Sequence, residues 1–349
     1  MNTFRFVADG FKTVFQTKRL ILLIWLVNAG VALLVAIPML NQIDRSLAGG
    51  IREEELLGQF DENWYRTFRF DTQDSETARL LDYSIFGAAP FIHHADRMLS
   101  GGIVTATGEF LLKAIESWRL EFNLLSMLTL LALLYAVLGS FVAGGLVSTY
   151  WSGVPVTVSE FIADSGRFFG RFIRLAVIGL LVCAVIIHLV GNWGQISIAR
   201  WTYNEPSELT PFIFYLIKNV VVAFLIATVV MSLDYAKIVI VAEERVSALV
   251  AFGSGVAFTF GNFGRTFPLF FVLWAAGLAL MGLYGVTEGL FGQTTYWSIV
   301  AVFVLQQVYM VLRLTVKAGF YASEIGLVRQ VEAKRVRAVV KADSTAGGI

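Results

Sequence analysis

The sequence predicts an all-α polytopic membrane protein: six transmembrane helices in three hairpins, each preceded by an amphipathic interfacial helix, with an external cap between spans one and two. Three observations predict it. Of the 349 residues, 57% are hydrophobic and 15% charged, against roughly 25% charged in soluble domains. Six mostly apolar runs reach the length of about 20 residues that a helix needs to cross roughly 30 Å of hydrocarbon. In three places a Phe stands thirteen residues before an Arg that guards a span: Phe6 and Arg19, Phe161 and Arg174, Phe252 and Arg265.

Residues 3–19 place Phe4, Val7, Phe11, Val14 and Phe15 at helical spacing, with Asp9, Lys12 and Gln16 on the other side, the pattern of a helix lying flat on a membrane surface. Span one covers residues 20–40. It exceeds a cleaved signal segment of about 7–15 apolar residues and reads as a retained anchor. Residues 41–122 hold 14 Asp and Glu against 8 Lys and Arg and no membrane-length apolar run, so they form an extramembranous insertion. Within it, Glu53–Phe60 and Gly108–Phe122 read as amphipathic helices, and Trp64–Phe70 alternates as a short strand does.

Span two covers 123–147, and Ala143-Gly144-Gly145 near its end permits close helix contact. Thr157-Val158-Ser159-Glu160 is a capping box that opens the second interfacial helix. Along that helix Phe161, Ile162, Ser165, Phe168, Phe169, Phe172 and Ile173 form one face, and Glu160, Asp164, Arg167, Arg171 and Arg174 the other. Span three covers 174–191. A loop, Asn192–Pro211, leads to span four at 212–233, where Lys218 is expected to snorkel to the near surface. Asp234-Tyr235-Ala236-Lys237 continues that helix, and Ser247 opens the third interfacial helix. Spans five and six cover 267–286 and 297–317, and a charged helical tail follows from Glu324. The domains are therefore 1–40, 41–122, 123–320 and a basic tail, 321–349.

Charge sets the expected orientation. With the N-terminus inside, residues 1–19, 148–174, 234–265 and 313–349 carry 17 of the 27 Lys and Arg on one side, while the loops 192–211 and 287–297 carry one. Bases concentrated in short loops mark the cytoplasmic side. Both termini are expected to be cytoplasmic and 41–122 outside. The three interfacial stretches then share one leaflet, as parallel copies of one unit. Aligned without gaps, Phe6–Trp25 and Phe161–Leu180 share five identities in twenty, and Phe161–Leu180 shares five with Phe252–Phe271.

The six-span layout, the Asp234-Tyr235-Ala236-Lys237 run and the segment Ser247–Arg265 resemble a broad group of uncharacterised bacterial integral membrane proteins. That group is similar to the membrane domain attached to some glycerophosphoryl diester phosphodiesterases. The resemblance covers roughly residues 120–330. It implies a bacterial cytoplasmic membrane and a link to lipid or envelope biology. After span six only a short basic tail is read and no phosphodiesterase catalytic domain is expected, so no catalytic residue is carried over.

Candidate chemistry is sparse. The single cysteine, Cys183, sits in an apolar run and builds neither a disulfide nor a Cys-based zinc site within one chain. His93-His94 beside Asp96 are neighbours that point different ways, which suits shared metal ligation poorly. His188 reads as interfacial. There is no Walker sequence, nucleophile elbow or HExxH motif. No cofactor, metal or nucleic acid is expected, and no catalytic residue is assigned.

Two groups of residues carry the functional expectation. Arg167, Arg171, Arg174, Lys18, Arg19 and Arg265 stand where anionic lipid headgroups would meet them, at about 1 kcal/mol for each base, or serve simply as topology signals. Asp234, Gln306, Gln307, Arg313 and Lys317 form an intramembrane polar pair or path, with Asp234 as the acid for Arg313 or Lys317. Ordinary snorkelling of Arg313 and Lys317 is the alternative. The expected function is non-enzymatic: organising or sensing lipid, or scaffolding envelope partners through residues 41–122. The alternative is a transporter or channel for a small solute or lipid.

Overall fold

The computed structural model describes residues 3–47, 124–154, 156–291 and 296–346, with side chains for 3–33, 134–154, 156–288, 290–291 and 296–337. The helices are α1 (Thr3–Gln16), α2 (Lys18–Leu47), α3 (Leu124–Ser152), α4 (Val158–Ile186), α5 (Trp193–Trp201), α6 (Leu209–Ala242), α7 (Ala248–Gly261), α8 (Phe263–Gly289) and α9 (Tyr296–Ala346). One π-helical turn, Ile187–Asn192, joins α4 to α5. No strand occurs among the described residues. Five helices are long and apolar enough to cross a membrane, or six if the pair α1 and Lys18–Leu33, bent by 75°, counts as one span. By length and composition this is a multi-pass membrane protein. The expected helices at Glu53–Phe60 and Gly108–Phe122, the strand at Trp64–Phe70 and the His93-His94 pair lie outside the described residues. The anchor helix α2 runs on to Leu47, past the expected boundary at residue 40.

Local chemistry sets the helix ends. Thr157 Oγ1 accepts from the Glu160 N–H at 3.3 Å, and Glu160 Oε2 accepts from the Thr157 N–H at 2.7 Å, so the capping box satisfies two donors that α4 would otherwise leave bare. At Thr17 the hydroxyl donates to the Val14 carbonyl at 3.0 Å, where α1 gives way to α2. At Asn262 the side-chain amide donates to the Phe258 carbonyl at 3.1 Å, where α7 gives way to α8. The second amphipathic stretch has no such break. It runs from Val158 through Ile186 as one helix, so it is the first half of a span helix and not a separate interfacial helix. Two other expectations change. The Asn192–Pro211 loop is helical through Trp201, with His188 in the π turn. Lys218 does not snorkel: it is buried and donates to Gln195 Oε1.

Each of the three stretches packs on one long helix: α1 on α9, the first half of α4 on α3, and α7 on α6. Against expectation α7 is apolar and not amphipathic, with Leu249, Val250 and Phe260 on its outer face. Small residues bring the backbones together. A β-carbon on Gly10 would stand 2.9 Å from the Ser323 nitrogen, one on Gly145 2.6 Å from the Phe161 ring, and one on Gly255 2.8 Å from the Ala236 nitrogen. The inner faces of these stretches, with Gly10 and Val14, Phe161, Phe168 and Phe172, and Ala248 and Ala251, are therefore covered by protein and not by lipid. Phe4 and Phe15 on α1, Ile162 on α4, and Leu249, Val250 and Phe260 on α7 point outward and are exposed. The core gathers at this end of the bundle, around Tyr235, Ile238, Leu175, Leu269 and Leu327. Most of α5 and the first half of α6 leave large apolar side chains uncovered, as helices facing lipid do.

Candidate functional site

Beside that core the long helices separate enough to leave two half-open cavities among the described residues. The first, about 380 Å³, lies between α2, α3 and α9 and is walled by Ile24, Val27, Leu138, Val142, Leu146 and Leu314. The second, about 590 Å³, lies between α3, α4, α6, α8 and α9 and is walled by Phe172, Leu175, Val230, Leu233, Phe270 and Trp274. Tyr135, Gly139, Ala143, Lys317 and Tyr321 border both. Each volume falls in the range of about 300–1,000 Å³ typical of small-molecule sites.

One face of α9 supplies the polar lining. Met310, Arg313, Leu314, Lys317 and Tyr321 recur at three- and four-residue spacing and border the first cavity. From α6, Asp234 and Lys237 border the second. Lys237 Nζ lies 2.6 Å from Asp234 Oδ1 and donates to the Tyr321 hydroxyl at 3.2 Å, while its ammonium sits 5.2 Å from the centre of the Tyr321 ring. One turn beyond Tyr321, Glu324 is 1% exposed, and neither of its carboxylate oxygens has a hydrogen-bond partner among the described residues. Among the described residues, no group of three His, Cys, Asp or Glu is placed to hold a metal ion.

The expected polar residues separate. Asp234 pairs with Lys237, one turn along its own helix, in place of Arg313 or Lys317. A local partner wins because both side chains are already fixed on one helix face, so little further entropy is lost in joining them. Arg313 and Lys317 border the first cavity, are both exposed, and have no carboxylate within 4.0 Å among the described residues. Gln307 accepts from the Trp25 indole N–H at 3.1 Å and ties α9 to α2. Gln306, its neighbour, is exposed and borders neither cavity.

The six bases expected at headgroups also divide. Arg167 forms a 2.7 Å ion pair with Glu244, and Arg171 donates to the Glu244 carbonyl at 3.2 Å, so both clasp the turn between α6 and α7. Lys18, Arg19, Arg174 and Arg265 are exposed, without an ion pair among the described residues.

Sequence reasoning missed Lys237, Tyr321 and Glu324 as members of the cluster. The signal was present: Lys237 stands three residues after Asp234, and Glu324 stands seven after Lys317, which on a helix is the same face. Comparison with protein-family models, curated proteins and solved structures finds no match for this chain.

Proposed function

We propose that this is a non-enzymatic membrane protein that holds lipid inside its helical bundle, organising or sensing it. The observation that carries the reading is the pair of apolar-walled cavities meeting at Gly139 and Lys317. Cavities of this lining suit an amphiphile whose chain lies among Leu, Val and Phe side chains and whose polar end meets the α9 bases. The exposed bases Lys18, Arg19, Arg174 and Arg265 would add headgroup contacts at the bundle surface. The packing of α1 on α9, matching that of α4 on α3 and of α7 on α6, supports the threefold repeat read from the sequence. The bacterial cytoplasmic membrane, the inside placement of both termini and a partner for residues 41–122 belong to the same proposal.

A second reading is transport of a small solute or lipid along the same cavities, favoured by Arg313 and Lys317 lining one of them. Native mass spectrometry of the gently extracted protein tests the first reading. Gly139 has open space where a β-carbon would stand, so Gly139→Leu fills the cavity without a backbone clash. Retained lipid in the unmodified protein, lost in Gly139→Leu, is the expected result. A protein that retains none, or retains it equally in the variant, removes the reading. Transport would instead show as solute flux in vesicles that Gly139→Leu blocks.

A further inference from the structure

We propose that the cavity selects its lipid by charge, holding a phosphate-bearing anionic headgroup between Arg313 and Lys317. This rests on the cavity reading above and names what that cavity takes. The two bases stand one turn apart on α9, and both border the cavity between α2, α3 and α9. Lys317 also borders the second cavity, so it stands where the two meet.

The charges around them do not balance locally. Asp234, the carboxylate that borders the second cavity, is engaged by Lys237 at 2.6 Å. Glu324 is buried below and borders neither cavity. Two bases along a span helix with no carboxylate within 4.0 Å among the described residues are costly, and such residues pair or line a ligand path. An anion placed between them supplies the missing charge through charge-assisted hydrogen bonds, and an Arg guanidinium suits phosphate oxygens in particular.

The walls decide what carries that anion. Leu138, Val142, Leu146 and Leu314 line the same cavity, so a ligand that fills it brings an apolar body with its phosphate. Free phosphate leaves those walls uncovered. A zwitterionic headgroup brings an ammonium toward two cations. An anionic glycerophospholipid satisfies both halves.

The test uses the full chain in nanodiscs made of equal parts phosphatidylcholine and phosphatidylglycerol, with the lipids that stay bound counted by native mass spectrometry. The unmodified protein is expected to enrich phosphatidylglycerol by about tenfold over its share, the ratio worth about 1.4 kcal/mol. Arg313→Gln and Lys317→Gln, singly and together, bring the ratio toward one while total retained lipid stays the same. Arg174→Gln with Arg265→Gln, which changes exposed bases that border neither cavity, leaves the enrichment intact. Excess inorganic phosphate leaves it intact as well.

Enrichment that survives in the Arg313 and Lys317 variants, or that the Arg174 and Arg265 control abolishes equally, overturns the proposal. So does loss of enrichment under excess phosphate, which would make the site one for a free anion. Should the variants fail to fold, the unmodified protein still decides: lipid retained at the bulk ratio overturns the headgroup assignment. Lipid not retained at all overturns the cavity reading on which it rests.

Discussion

Gly255 of α7 lies against Ala236 of α6 so closely that a β-carbon on it would stand 2.8 Å from the Ala236 backbone nitrogen. Backbone cannot move aside as a side chain can. Gly255→Ala is therefore expected to destabilise the fold by the roughly 1–3 kcal/mol of an overpacked contact. Gly253, two residues earlier on the same helix, has open space around the same position. Gly253→Ala should be neutral or stabilising by up to about 1 kcal/mol, because Ala is the better helix former. Thermal unfolding in detergent reads both, and equal effects would show that the α6–α7 contact is looser than described.

The Asp234 and Lys237 pair is largely shielded, with side chains 11% and 22% exposed. Removing one member leaves a charge without its partner in a poor solvent for charge. Lys237→Met is expected to cost about 3–5 kcal/mol, and adding Asp234→Asn to recover most of it. The double variant unfolding as early as the single one would mean that Lys237 acts through Tyr321 and not through Asp234.

Glu244 adopts a left-handed backbone, φ 51°, and pairs with Arg167 where both side chains are more than half exposed. Glu244→Gly removes a backbone cost of about 1 kcal/mol and an exposed ion pair worth about 0–1 kcal/mol. The two offset, so the unfolding temperature should barely move. Glu244→Val loses the pair and sets a β-branched residue in that backbone, so it should unfold clearly earlier. Equal behaviour of the two variants would argue against the left-handed turn.

The capping box at Thr157 gives the simplest stability prediction. Thr157→Ala removes an acceptor for the Glu160 N–H and is expected to cost about 1 kcal/mol. Thr157→Ser, which keeps the hydroxyl, should recover it in the same unfolding assay.

How far the sequence could be read follows from which interactions are local. The capping box was legible because its four residues are contiguous, and both of its hydrogen bonds are present. The long apolar helices were legible from length and composition alone. The continuity of α4 was harder to see. Thr17 and Asn262 mark the breaks in the first and third copies, and the matching residues of α4, Phe172 and Arg171, are a buried ring and a base turned to the Glu244 carbonyl. Pairing across helices was least legible. Asp234 was matched with Arg313 or Lys317, and choosing Lys237 instead required knowing that both of those bases border a cavity. Glu324 looked like the start of a solvated tail because charge is usually exposed. The tail helix runs back into the bundle, and the Glu324 side chain is buried within it.

The most direct test of lipid held inside the bundle is crosslinking with a phospholipid that carries a photoreactive group on its acyl chain, mapped by peptide sequencing. Lipid around any membrane protein will label outward residues such as Leu181 and Phe212, which are more than 60% exposed and border neither cavity. The account predicts additional labelling of the cavity walls, within Tyr135–Leu146 and Met310–Tyr321, that Gly139→Leu removes while outer labelling persists. Labelling confined to the outer faces, or wall labelling unchanged by Gly139→Leu, would contradict it.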